Sequence, residues 1–324
     1  MTIERRGLLV GGMALAAVSL AAPARAQAFP SKPIRFIVPY AAGGNVDVTV
    51  RLVAEAMQRN LGQSIIVDNR PGAGGLVGQD AAAAAPADGY TIVATSFGGL
   101  YVSALMAGKP SMVPLFHHLS MLSTVPMVVV VPSGSKYADW KALLADAKAN
   151  PGAVSLGHAG NGTTNHTAIL RIQEADKVNF AVVPYRGSGV GLNDVMAGQI
   201  SGYVDQLSSS LPFIKSGKLR ALMVVAGERA PELPDVPSLK DLGEPVFDGG
   251  TTIGASVRIE TPQAIAKKLN EAIVAALKDP AVVKRLTELG SVPRPSTPEE
   301  FAAAMKVDEE AIAPLAKAGL LKSE

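Results

Sequence analysis

The segment from Pro39 to Asp47 reads Pro-Tyr-Ala-Ala-Gly-Gly-Asn-Val-Asp and lies between the β-branched run Ile34 to Val38 and a stretch with helical apolar spacing. Such a run predicts a buried strand, and two adjacent glycines allow backbone angles that most residues avoid. Asn45 can cap the helix that follows, in which Val50, Val53, Ala54, Met57 and Leu61 recur every three or four residues. One face of that helix therefore packs, while its start, with unpaired N–H groups and a positive dipole end, faces a crevice as a cradle for an anion. The pattern then repeats: Ile65 to Val67 runs into a glycine-rich loop, Asn69 to Gly75, and an alanine-rich helix that Pro86 ends. A turn at Asp88-Gly89 leads to Tyr90 to Thr95 and a third loop, Ser96 to Gly99. Three successive strand-to-helix units predict an α/β fold with a parallel sheet covered by helices, whose ligands collect beyond the strand C-termini.

A second α/β set begins at Met127 to Val131. The helix from Trp140 to Ala149 stops at Asn150 to Gly152, and Val154 to Leu156 leads into the loop Gly157 to Thr164 and a helix carrying His166. Phe180 to Val183 leads into Pro184 to Gly189, and a short alternating strand from Ser201 to Leu207 puts Asp205 near the same edge. After Ala221 to Val225, the segment with Pro231, Pro234, Pro237 and Pro245 reads as connector. It is followed by a strand-like stretch from Thr251 to Val257 and three helices, the last with a capping box at Thr297 and Glu300. Those helices have no strands of their own to cover and are expected to return to the first sheet. The expected division is a discontinuous first domain, residues 27–127 and 250–324, and a second domain, residues 128–249, joined by two crossings that act as a hinge.

Residues 1–26 read as an export signal: Arg5-Arg6, an apolar run from Leu8 to about Ala22, and a small-x-small cleavage pattern at Ala24-Arg25-Ala26, with Ala26-Gln27-Ala28 as a second choice. The paired arginines resemble a twin-arginine signal, but a general secretory signal can carry them too, so the route stays open. The expected destination is the periplasm. Without the signal, the 30 basic and 28 acidic residues become 27 and 27. A neutral chain carries no nucleic-acid footprint and no polybasic membrane patch, so anion recognition must come from local geometry. The chain contains no cysteine, which excludes disulfides, thiolate metal sites and a lipidated N-terminal cysteine. His117-His118 are adjacent and share no face, which argues against a metal there.

Enzyme readings fare poorly. Gly72-x-Gly74-x-x-x-Gly78 misses the dinucleotide-binding spacing, and Thr95 to Phe97 stands where a ribose-binding carboxylate would be needed. No Gly-x-Ser-x-Gly nucleophile elbow occurs. The chain is therefore expected to bind a ligand without covalent chemistry or a cofactor.

Taken in order, Pro30 to Ile34, Pro39 to Asp47, Val67 to Gly75, Asp88 to Thr91, Ala149 to Gly152, Ala159 to Gly162, Val183 to Gly187 and Leu233 to Pro237 resemble the motifs of the substrate-binding receptors of tripartite tricarboxylate transporters, the Bug-type periplasmic proteins. The resemblance implies a type II periplasmic-binding-protein-like fold: two α/β domains, a central cleft and a hinge. It also implies a small organic carboxylate closed between the domains, a monomer, and delivery to membrane permease subunits; signalling to a membrane sensor kinase is the alternative use of the same closed state. Carried over by motif, one wall of the site is Tyr40, Ala41, Ala42, Gly43, Gly44 and Asn45, with Ser96 as floor. The facing wall is Gly160, Asn161, Gly162, Thr163 and Thr164, with His166, then Tyr185, Arg186, Gly187 and Ser188, and finally Asp205. Asp47 is read as a helix-dipole residue that touches no ligand. Arg186 could grip a carboxylate or form a salt bridge, and Asp205 would suit a ligand hydroxyl, amine or protonated acid. Two departures from the family pattern, Leu115 to His118 and the missing tryptophan around Gly249 to Gly254, point to a different ligand choice.

Overall fold

The computed structural model describes residues 29–247 and 249–321, so the export signal and both cleavage sites lie outside the described residues. In chain order the elements are β1 (Ile34–Val38), α1 (Asn45–Leu61), β2 (Ile65–Asn69), α2 (Leu76–Ala83), β3 (Thr91–Thr95), α3 (Ser103–Met106) and β4 (Phe116–Val125). Then follow β5 (Met127–Pro132), α4 (Trp140–Ala149), β6 (Ser155–His158), α5 (Thr164–Asp176), β7 (Ala181–Pro184), α6 (Ser188–Met196), β8 (Gly202–Gln206), α7 (Leu207–Lys215), β9 (Leu219–Val225) and α8 (Leu239–Leu242). The chain closes with β10 (Thr251–Arg258), α9 (Gln263–Leu277), α10 (Pro280–Glu288), β11 (Val292–Pro293) and α11 (Pro298–Lys317).

These strands form two sheets, ordered β11-β4-β10-β3-β1-β2 and β7-β6-β8-β5-β9. In the first, the three strands of the successive strand-to-helix units are parallel, as expected, and later strands make the sheet mixed. β1 pairs in parallel with β2 and β3, but β10 returns from the second sheet and lies antiparallel between β3 and β4. The second sheet repeats the arrangement, with β6 parallel to β7 and β8, and β5 antiparallel to β8 and β9. The chain passes between the sheets at the β4–β5 junction and again between β9 and β10.

Each sheet has a core on both faces. In α1, Val50, Val53, Ala54 and Met57 are buried against β1, β2 and α9, as the helical spacing anticipates. Burial of a valine or methionine side chain stabilises by about 1.5–3 kcal/mol, so this face fixes the direction in which α1 begins. Gly62 ends the helix in the left-handed region, φ 65°, and donates its N–H to the Gln58 carbonyl. On the other face of the first sheet α2 and α11 cover Ile37 and Val93, α11 with Phe301 among its buried residues. The second sheet packs α4 and α5 on one side and α6 and α7 on the other. With both faces covered, the free space is left at the strand ends.

Candidate functional site

β1 and β3 of the first sheet, and β6, β7 and β8 of the second, end at loops that meet face to face. The first loop is held rigidly from behind. Asp47 accepts hydrogen bonds from Gly43 N (2.9 Å), Arg51 Nε (3.0 Å) and Asn69 Nδ2 (2.9 Å), and Asn69 Nδ2 also reaches the Tyr40 carbonyl (3.1 Å). Burial raises the Asp47 pKa, but these donors outweigh it and hold the carboxyl below its ordinary range. Asp47 therefore shapes the loop and leaves its neighbours' N–H groups to the crevice, in keeping with its reading as a residue that touches no ligand.

The two walls are shut against each other. Ala41 N donates to the Arg186 carbonyl at 3.0 Å, Ser103 Oγ to the Asn161 carbonyl at 2.9 Å, and Ser208 Oγ to Asn45 Oδ1 at 2.7 Å. Glycines permit this approach. Gly187 has φ +134°, and a Cβ there would stand 2.8 Å from Ala41 N; at Gly160, φ +131°, it would stand 2.9 Å from Gly74 Cα. Gly162 and Gly189 make similarly close approaches to Ser103 and Ala42. Gly43, φ +83°, serves the turn, whereas a Cβ on Gly44 would meet nothing nearer than 3.7 Å.

Inside the seam lies a cavity of about 30 Å³, whose lining includes Tyr40, Gly44, Asn45, Ser96, Thr163, Thr164, Ser188, Gln206 and Thr251. That is room for about one water molecule. Its electrostatics favour an anion. The N-terminus of α1, capped by Gly44, and that of α6, capped by Gly187, come together from opposite sheets, and no side chain caps either one. Each presents about half a positive charge; at α1 the ionised Asp47 of the first turn, itself paired with Arg51, offsets part of it, whereas the first turn of α6 carries no acidic residue. Asn45 is 2% exposed, and with its Oδ1 engaged by Ser208, its Nδ2 has no partner. A buried unsatisfied donor costs about 1–3 kcal/mol, which a ligand acceptor would recover. Burial pushes the Tyr40 phenol up to about 12, so it remains an uncharged group that can donate.

Not every expected residue reaches this cavity. His166 lies beneath the second-sheet loop, stacked on His158 with ring centroids 4.4 Å apart. Its Nδ1 accepts from Gly162 N and that of His158 from Gly160 N, both at 3.2 Å. Burial lowers the pKa of His166 to about 4 and that of His158 to about 3, so both stay neutral and accept from the glycine loop. Asp205 is fully buried and points to the opposite side of its strand from Gln206; Ser188 of the cavity wall hydrogen-bonds it, Ser209 and Ser210 donate to its Oδ2 at 2.5 and 2.6 Å, and burial raises its pKa. Because strand residues alternate in direction, its neighbour Gln206 occupies the cavity instead, bonded to Asn165 and Thr251. The exposed Arg186 contributes its carbonyl, and its guanidinium has no ion pair among the described residues. The Tyr185 hydroxyl is taken by Asp194 at 2.9 Å. Gln206 could have been found from strand period two had its register been known; Thr251 and Ser208 carry no sequence signal of their own. Among the described residues, no group of three or more His, Asp or Glu is placed to hold a metal ion.

The profile of the tripartite tricarboxylate transporter family receptor matches residues 49–308. The chain belongs to this receptor family. It is 34% identical to the protein BugT of Bordetella pertussis over 91% of each chain. Among solved structures, the periplasmic binding protein BugD superimposes with a TM-score of 0.86 at 30% identity, covering 91% of this chain and 100% of BugD. MatC of Rhodopseudomonas palustris, solved with bound malate, gives 0.81 at 28% identity, covering 88% and 98%. The receptor thus has the two-domain α/β fold of periplasmic binding proteins, and its family is one of solute-binding receptors, not enzymes.

Proposed function

We propose that this receptor is exported to the periplasm, captures a small organic carboxylate between its two domains, and presents the closed form to the membrane subunits of a tripartite tricarboxylate-type transporter. The observation that carries the reading is the convergence of two helix N-termini without side-chain caps, one from each sheet, over a cavity wall bearing the unpartnered Asn45 Nδ2. A carboxylate supplies the missing acceptor and the negative charge together. MatC, a relative, holds malate, a compound of this class.

In this reading Tyr40 to Asn45 and Ser96 hold the ligand from one side, and Gly160 to Thr164 with Gly187 and Ser188 from the other. Residues 27–127 with 250–324 then move against residues 128–249 about the two crossings. A cavity of about 30 Å³ is too small for malate, so loading requires the seam to part and re-form around the ligand. The test is a thermal-shift screen of residues 27–324 against mono-, di- and tricarboxylates, acidic amino acids and aromatic acids. A dose-dependent rise with one carboxylate class supports the reading, since a ligand of the folded state raises the melting temperature by mass action. No rise with any acid, and no acid in the mass spectrum of the denatured extract, overturns it. Loss of uptake of the identified acid in a deletion strain tests the link to transport.

A further inference from the structure

Besides Asn45 Nδ2, the cavity holds a second hydrogen-bond donor that the protein leaves unspent. Thr164 is the first residue of α5, beside the second sheet, and Thr251 is the first of β10, in the first sheet. Both line the cavity, and their hydroxyl oxygens stand 2.6 Å apart. A contact that short holds one hydrogen between the two oxygens, and the pair owns two.

The use of the other hydrogen is fixed by the amides behind Thr251. Asn165, which is buried, gives its Nδ2 to the Val204 carbonyl at 2.8 Å, so its Oδ1 is the atom that meets Gln206 Nε2, at 3.0 Å. That nitrogen spends its remaining hydrogen on Thr251 Oγ1 at 3.1 Å. An amide nitrogen only donates, so Thr251 receives from Gln206 and cannot give its own hydrogen back to it. Either Thr251 donates to Thr164 and the Thr164 hydrogen is left over, or Thr164 donates to Thr251 and the Thr251 hydrogen is left over. Neither hydroxyl has a further acceptor among the described residues. In both arrangements one O–H stays free.

The geometry points to Thr164 and Thr251 as one shared donor to the ligand, whose buried end then accepts from Asn45 Nδ2 and from this pair together. The inference rests on the carboxylate reading above and deepens it. The two oxygens of a carboxylate meet two donors held by different parts of the chain, whereas a primary amide would turn an NH₂ toward one of them and an ammonium group accepts from neither. Sharing distinguishes the pair from two independent contacts. When one hydroxyl is lost, the survivor still owns a hydrogen and turns it to the same acid; loss of both removes the donor.

Isothermal titration of the purified receptor with acetate, succinate, malate, citrate, glutamate and benzoate finds an acid that binds, and a double-mutant cycle with that acid tests the pair. Thr164→Val and Thr251→Val, which keep the side-chain shape, should each weaken binding about two- to threefold. Combined, they should weaken it about thirty- to hundredfold, the worth of a hydrogen bond to a charged group and well beyond the product of the single losses. Thr164→Ser with Thr251→Ser, which keeps both hydroxyls, should recover most of that loss. A circular-dichroism melt checks the fold of each variant, and Thr164→Ala with Thr251→Ala removes both hydroxyls a second way should the valine pair fail to fold. Single losses that merely multiply, a tenfold loss from either single change, or a double variant that binds no more weakly than the singles overturns the shared donor while leaving the carboxylate reading intact. Absence of binding by every acid of the panel overturns the carboxylate reading and the inference with it.

Discussion

In the proposed function Asn45 is a side chain that meets the ligand. Its oxygen is spent on Ser208 across the cleft, and its nitrogen is buried without a partner. Asn45→Ala should weaken carboxylate binding about ten- to hundredfold, the worth of one hydrogen bond to a charged group, as read by titration calorimetry. Gly44 provides a second test at the same wall. Its backbone, φ −82° and ψ 170°, suits any residue, and a Cβ meets nothing closer than 3.7 Å. Gly44→Val should therefore fold with a melting temperature near that of the parent while its methyl groups crowd Ser188 and block the ligand. Retained affinity would remove this loop from the site. Gly187 differs because its φ of +134° and its approach to Ala41 leave no room for a Cβ, so a change there would confound folding with binding.

At the scale of elements, the strand–loop–helix punctuation was legible because it obeys local rules. Glycine loops after β-branched runs located the starts of α1, α5 and α6, and Thr297 with Glu300 forms the expected capping box. What local rules do not carry is which strand lies next to which. The three strands of the successive units are parallel as expected, whereas the antiparallel direction of β10 is set by the chain's return from the other sheet. That Gln206 and not Asp205 lines the cavity was not legible, because one step along a strand exchanges faces and only the pairing of β8 with β5 and β6 fixes them. The histidine on α5 was correctly put beside the glycine loop, but it supports that loop from below. Its titration has a readable consequence. Both stacked rings are neutral when folded, with pKa values of about 4 and about 3 against an ordinary 6.5, so the unfolded chain binds more protons between these limits. Their contribution is fully present above pH 6.5 and is lost as pH falls through 4 toward 3. Thermal melts over that range should show a shallower decline for His166→Gln than for the parent; identical slopes would rule out this coupling.

For the whole molecule, 30 basic against 28 acidic residues, or 27 against 27 without residues 1–26, mean that no strong long-range field concentrates anions at the cleft. In the proposed function recognition rests on buried donors, where mobile ions screen poorly. The dissociation constant for a bound carboxylate should change by less than about threefold between roughly 0.02 and 0.5 M salt, measured with a non-binding anion; a steep dependence would place the recognising charges on the surface. The scattered surface ion pairs, such as Lys32 with Asp88 and Lys109 with Asp80, are half-exposed and contribute little that salt could remove.

The position of β10 also constrains the order of assembly. It lies between β3 and β4, two strands made much earlier, and supplies the hydrogen-bonding edge that each of them faces. The amino-terminal sheet therefore cannot close while the chain is still emerging: β3 and β4 must wait until Thr251 to Arg258 has followed the complete second unit. The last-made part of the receptor, from Thr251 on, is what joins its first-made part, so a truncated or stalled chain would leave β3 and β4 with unpaired edges, a form suited to a chaperone or a protease and not to a ligand.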